Sequence, residues 1–167
     1  ALAHFDDAVR DCLESVLCCH FKTDEWSLAT LSTKEGGLGL RSISRHSCAA
    51  HMASRSSCHD LRLQLGRNHI WEIVAADSAL HAAIQDYNSN VQASDRLTEL
   101  STSELPLQKI LSKGLDASMH SFLSSPAQAD LARRAHLNLT SASGAGQWLH
   151  AVPTKALHRD CDPSHYK

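Results

Sequence analysis

Apolar side chains recur every three or four residues through most of the chain, which is the spacing of one face of an α-helix. The clearest stripes are Phe5, Val9, Cys12, Leu13, Val16 and Leu17; then Ile70, Ile73, Val74, Leu80, Ala83, Ile84 and Tyr87; then Leu107, Ile110, Leu111, Leu115, Met119 and Phe122. Aromatic residues make up only 5% of the chain, and it has 7 Gly and 4 Pro, which also favours helices over a β-sandwich. We therefore predict an all-α fold, an irregular bundle of about six helices.

A glycine-rich turn separates the second predicted helix from the third. Gly36, Gly37 and Gly39 fall within four residues, and all three can take a positive φ at little cost. Ser42 follows and is a good N-cap for the helix that it precedes. We expect a tightly shaped turn that fixes how the two helices meet.

The predicted helices and the glycine turn divide the chain into three parts. Residues 1–60 hold the first helices and the glycine turn, and residues 61–140 form a helical connection region. Residues 141–167 contain a Gly/Ser loop, Trp148 as an anchor, and an extension with no packed element to complete it. The chain is expected to be a piece of something longer.

Composition suggests an intracellular chain, in the nucleus or the cytoplasm, with no membrane partner. No run of eighteen apolar residues occurs, and no basic-then-apolar leader opens the sequence. The six cysteines lack the spacing of a disulfide framework, so we expect reduced thiols.

Charge is segregated along the chain although the net charge is only -2. Residues 41–70 carry five arginines and one acidic residue. Arginine forks suit phosphate groups, so Arg41, Arg45, Arg55 and Arg62 are candidate nucleic-acid contacts. A solvated helix face of mixed charge is the plainer explanation of the same residues.

The sequence contains only weak signals for catalytic or metal-binding residues. Asp6 and Asp7 resemble a polymerase aspartate pair only superficially, and we assign them to the first turn of their own helix, where carboxylates are favourable. No Cys/His cluster has the spacing of a structural zinc site. The best three are Cys18-Cys19-His20, then His46, Cys48 and His51 with Cys58-His59, and then His158, Cys161 and His165. The Ser141–Gly146 loop lacks the lysine of a P-loop. We predict no catalytic residue, no metal and no cofactor in this chain.

Two segments nevertheless resemble a known family. The first covers residues 5–60 and includes Phe5-Asp6-Asp7, Trp26, Leu31, Gly36-Gly37-Leu38-Gly39-Leu40-Arg41-Ser42, His46, Ala49-Ala50 and Ala53-Ser54. The second is Ser143-Gly144-Ala145-Gly146-Gln147-Trp148-Leu149 with Pro153. The first is similar to the region just after the catalytic palm in reverse transcriptases of non-LTR (LINE-like) retrotransposons, and the second is similar to a landmark farther along the same proteins. Their order and separation also agree with that family, or with a degenerate copy of it.

The resemblance implies a thumb and connection region, which grips the template–product duplex of RNA and DNA without catalysing the reaction. The parent polymerase would use Mg²⁺, held by a palm before residue 1, and its zinc-binding segment would follow residue 167. The alternative from another class is a helical protein-interaction domain with no nucleic-acid role. That alternative predicts an exposed apolar patch on the stripe at 70–87 or on the one at 107–122.

Overall fold

The computed structural model describes residues 1–58, 61, 64–65, 78–98 and 105–146. Within these ranges the chain is all α-helical with no strand, which confirms the predicted fold class. The helices are α1 (Leu2–Leu17), α2 (Thr23–Ala29), α3 (Ile43–Ser57), α4 (Ser78–Asn90), α5 (Gln108–Leu123) and α6 (Leu131–Thr140), with 3-10 turns at Thr33–Glu35 and Ala93–Asp95. None of the described helices has both the length and the apolar run needed to cross a bilayer.

Several predicted features lie outside the described residues. They are Arg62, the part of the second stripe before residue 78, Trp148 and Pro153, and the His158, Cys161 and His165 group.

Helix α5 is central to the packing, because its two halves contribute to two separate hydrophobic clusters. Leu111 and Leu115 pack with α3 and α4 residues, whose buried members are Cys48, Ala49, Met52, Leu80, Ile84 and Tyr87. Two turns farther on, Leu123 packs with Leu31 and Leu137, so it joins α5 to the end of α2 and to α6. Within the stripe at 107–122, Leu111, Leu115 and Met119 therefore pack in the core, whereas the other three members, Leu107, Ile110 and Phe122, are exposed.

The connection from helix α1 to α2 is held by polar contacts. It ends at Leu17 because Cys18 takes the left-handed conformation, with φ 51°. The Glu14 carboxylate then accepts hydrogen bonds from the Phe21 N–H at 2.9 Å and from Arg10 Nε at 3.0 Å. The Phe21 N–H and the His20 side chain are the main causes that lower the pKa of Glu14 to about 2. This carboxylate fixes the link between α1 and α2.

Helix α6 is held at its first turn. Asp130 caps it by accepting from the Arg133 N–H at 2.8 Å, and the Arg133 guanidinium forms an ion pair with Asp24 at the start of α2. The pair ties the two helices together across the bundle.

Candidate nucleic-acid interface

The glycine turn leads into α3, and its glycines are needed for two different reasons. Gly36 (φ 82°) and Gly39 (φ 76°) lie in the left-handed region that favours glycine. Gly37 does not, so the expectation of a positive φ at all three positions is wrong there. A Cβ on Gly37 would lie 2.2 Å from the Leu31 carbonyl oxygen, so this position needs glycine because two backbone segments touch.

The N-terminus of α3 is capped twice. Ser42 is the N-cap, as predicted, and its hydroxyl accepts from the Arg45 N–H at 3.3 Å. The second cap comes from α1: the Asp6 carboxylate accepts from the Ile43 N–H at 2.8 Å, from the Ser44 N–H at 3.1 Å and from the Ser42 hydroxyl at 2.7 Å. The Ser44 hydroxyl donates to the same carboxylate.

Asp6 therefore has a different role from the one its sequence position suggests. Helix α1 begins at Leu2, so both Asp6 and Asp7 lie beyond its first turn, and the assignment of the pair to that turn is wrong. Asp6 stabilises the N-terminus of another helix. Partial burial raises the pKa of Asp6, but the hydrogen bonds from Ser42, Ser44 and Ile43 outweigh it, and the net pKa is lowered. The ionised carboxylate occupies the positive end of α3, so a phosphate could bind there only by displacing it.

Two of the predicted arginines differ in exposure and in their contacts. Arg41 is exposed in the segment before α3. Arg45 is half-buried, and its Nη2 donates to the Leu115 carbonyl oxygen of α5 at 2.7 Å. Desolvation lowers the pKa of Arg45, and the nearby Asp116 carboxylate partly opposes the shift. Arg45 could contact a phosphate only by giving up its bond to α5, whereas Arg41 is available.

The rest of α3 presents a polar face to solvent. Ser44, His51 and Ser54 are exposed on it, and Ser47 and Arg55 are partly exposed. We call these five residues the α3 face. The spacing of 44, 47, 51 and 54 follows the helical repeat, so the sequence carries a signal for this face that a search for arginines alone does not detect. Hydroxyl and guanidinium donors are common phosphate contacts, and an imidazole N–H can donate a hydrogen bond as well.

A buried polar group lies beneath this face. His46 Nε2 is 3.3 Å from Asp116 Oδ1, and both side chains are more than nine-tenths buried. Ser112 is fully buried one turn before Asp116, and its hydroxyl has no hydrogen-bond partner among the described residues. The set has the residue types of a hydrolase triad, but no substrate could reach atoms buried this deeply. It joins α3 to α5.

The two glycine segments that carry the family resemblance meet in space. A Cβ on Gly36 would lie 2.5 Å from Thr140 Oγ1, and a Cβ on Gly146 would lie 2.9 Å from the Thr33 carbonyl oxygen. Thr33 and Lys34 line a cleft of about 480 Å³ together with the 141–146 loop. This loop follows the C-terminus of α6, the negative end of the helix, so Lys34 complements the helix dipole and the cleft does not favour phosphate.

Among the described residues no three His, Cys, Asp or Glu side chains are grouped to hold a metal ion. No family model, curated protein or solved structure matches this chain. The candidate interface therefore depends on the chain's own geometry and on the sequence resemblance.

Proposed function

We propose that the chain is the thumb and connection part of an RNA-directed DNA polymerase of the LINE-like type, which grips the duplex of template and product. The glycine turn and the 141–146 loop are far apart in sequence and carry the resemblance to that family. Their direct packing, through Gly36 and Gly146, is the observation that supports treating them as parts of one unit.

In this proposal, the duplex lies along the α3 face with Arg41 at its N-terminal end. Arg41, His51, Ser54 and Arg55 contact phosphates, while Arg45 positions α3 on α5. Such contacts fix the register of a protein on a duplex without reading its sequence, as a part that tracks a moving duplex requires. The polymerase would act in the nucleus or the cytoplasm, and its catalytic Mg²⁺ would belong to a palm outside this chain.

Binding of a fluorescent RNA–DNA hybrid tests the proposal. We expect an affinity no better than roughly micromolar in low salt, no preference among base sequences, and a steep loss of binding as salt rises. Arg41→Gln should reduce the salt slope by about one unit, because one phosphate contact is lost. Arg134→Gln, which removes an exposed arginine on α6, is the matched control and should leave the slope unchanged. A folded chain that does not bind the hybrid in low salt would refute the proposal.

The second candidate is a helical protein-interaction domain, and a specific observation favours it. Phe5, Val16 and Leu17 of α1 are each more than half exposed, and so are Ile110 and Phe122 of α5. The alternative predicts an exposed apolar patch on this stripe, and Ile110 and Phe122 are exposed members of it. A folded chain without hybrid binding, whose apolar faces bind another protein, would favour this function over the polymerase one.

A further inference from the structure

A second cleft, of about 440 Å³, lies between α4, the 3-10 turn at Ala93–Asp95 and the first half of α5. Its volume falls within the range of small-molecule sites. The apolar part of its lining includes Leu97, Pro106, Ile110 and Ala117. Ile110 is 60% exposed, so part of this apolar surface is uncovered.

One wall of the cleft is held in place by a paired hydrogen bond. The Asn88 side chain donates to the Leu97 carbonyl oxygen at 2.8 Å and accepts from the Leu97 N–H at 2.7 Å. These two bonds attach the segment after the 3-10 turn to α4. The cleft is therefore formed before any ligand enters it, which lowers the entropic cost of binding.

A buried phenol opens into the cleft. Tyr87 is 2% exposed, and its side chain lines the cleft. The hydroxyl lies over Gly114, where a Cβ would be only 2.7 Å from it. Burial, then the nearby Asp95 carboxylate, raises the pKa of Tyr87, so the phenol is neutral and can donate a hydrogen bond.

The charged lining is net positive. Arg96 and Lys113 line the cleft with one acidic residue, Asp95, and none of the three forms an ion pair within the described part of the chain. The cleft also reaches the first turn of α5, which carries no acidic residue. The N-terminal end of a helix adds further positive potential.

We propose that this cleft binds a small organic anion with an apolar body. The anionic head lies beside Arg96 and Lys113, the apolar body covers Leu97 and Ile110, and the Tyr87 hydroxyl donates a hydrogen bond to the ligand. The inference is independent of the proposed nucleic-acid role, because none of these residues belongs to the α3 face.

Two fluorescent probes that share an apolar framework test the site in the full chain. Anilinonaphthalene sulfonate carries the anionic group, and phenylnaphthylamine is its uncharged counterpart. We expect one saturable sulfonate site per chain. In the double variant Arg96→Gln, Lys113→Gln, the sulfonate should bind roughly tenfold more weakly, while phenylnaphthylamine changes by less than about twofold. Both residues are exposed, so the double variant should fold.

Two further variants show whether the effect belongs to the cleft. Lys109→Gln removes an exposed charge from the same helix without changing the lining, so sulfonate binding should be unchanged. Tyr87→Phe retains the ring and should weaken sulfonate binding roughly fivefold. Unchanged sulfonate binding in the double variant, or an equal loss for both probes, would overturn the proposal. A dimer in sedimentation that competes with the probe would instead assign the cleft to a second copy.

Discussion

Replacement of Asp6 by alanine should destabilise the fold through a helix that does not contain Asp6. The carboxylate is 8% exposed and accepts from the backbone N–H groups of Ile43 and Ser44 as well as from two hydroxyls. Loss of an ordinary helix cap costs roughly 0.5–2 kcal/mol, and hydrogen bonds to a charged group are worth roughly 1.5–3 kcal/mol. Ser42 still caps α3 in the variant by accepting from the Arg45 N–H, so only the Asp6 cap is lost. We therefore expect the free energy of unfolding to fall by about 2 kcal/mol.

Thermal and denaturant unfolding followed by circular dichroism measure this loss. For a domain of this size, about 2 kcal/mol corresponds to a decrease in Tm of about 4–8 °C. Asp7→Ala is the matched control: Asp7 is the next residue in α1, it is exposed, and the same substitution has the same effect on helix propensity. The Tm difference between the two variants isolates the cap.

The pH dependence gives a second test. The pKa of Asp6 is lower in the folded state than in the unfolded state, where it is near 3.9, so the ionised group contributes stability above that value. The contribution is lost as pH falls through the folded pKa. The difference between the parent and Asp6→Ala should therefore be full above about pH 5 and shrink in more acidic solution. Equal melting temperatures for the Asp6 and Asp7 variants at neutral pH would refute the role of the cap.

Three other substitutions and a labelling experiment test the rest of the site. Gly37→Ala should cost about 3 kcal/mol or more, because its Cβ would meet backbone atoms. Gly39→Ala should cost about 1–2 kcal/mol, because φ is 76° there but the Cβ would make only an ordinary contact with the Thr33 methyl group. Equal losses in urea melts would contradict this. Arg45→Gln should lower the free energy of unfolding by about 1 kcal/mol and leave binding of the hybrid unchanged, whereas Arg41→Gln should weaken binding and leave stability unchanged. A fall in affinity for the hybrid in Arg45→Gln would contradict the role of Arg45 as a contact to α5. Burial raises the pKa of Cys48 to about 11, so iodoacetamide at pH 8 should spare Cys48 in the folded chain; mass spectrometry that finds it alkylated as fast as the exposed thiols would refute this.

Features set by local rules were predictable from the sequence. The helical repeat indicated the fold class, and the position of Ser42 after a glycine turn indicated the cap that starts α3. Gly37 shows the limit of such rules. The residue type of Gly37 predicted a constrained turn. The constraint, however, comes from the close approach of the Leu31 carbonyl oxygen, which no local sequence pattern specifies.

Features that depend on distant residues could not be derived in this way. Asp6 caps a helix whose first residues come 36 to 38 positions later, so its sequence neighbours carried no sign of that role. Arg45 and Arg41 are indistinguishable as residue types, yet only the position of α5 beneath α3 directs Arg45 inward. The exposure of Phe5 and Val16 was likewise not predictable, because their periodicity alone would suit a buried face.

The contacts of Gly36 with Thr140 and of Gly146 with Thr33 also bear on the order of folding. They close a loop of roughly 100 residues, and closing a flexible loop of that length costs about 4 kcal/mol in chain entropy. The cost falls if α3, α4 and α5 are already packed, since the effective loop is then much shorter. Docking of α6 is thus expected late, after the folding barrier, so substitutions at this junction should speed unfolding more than they slow folding.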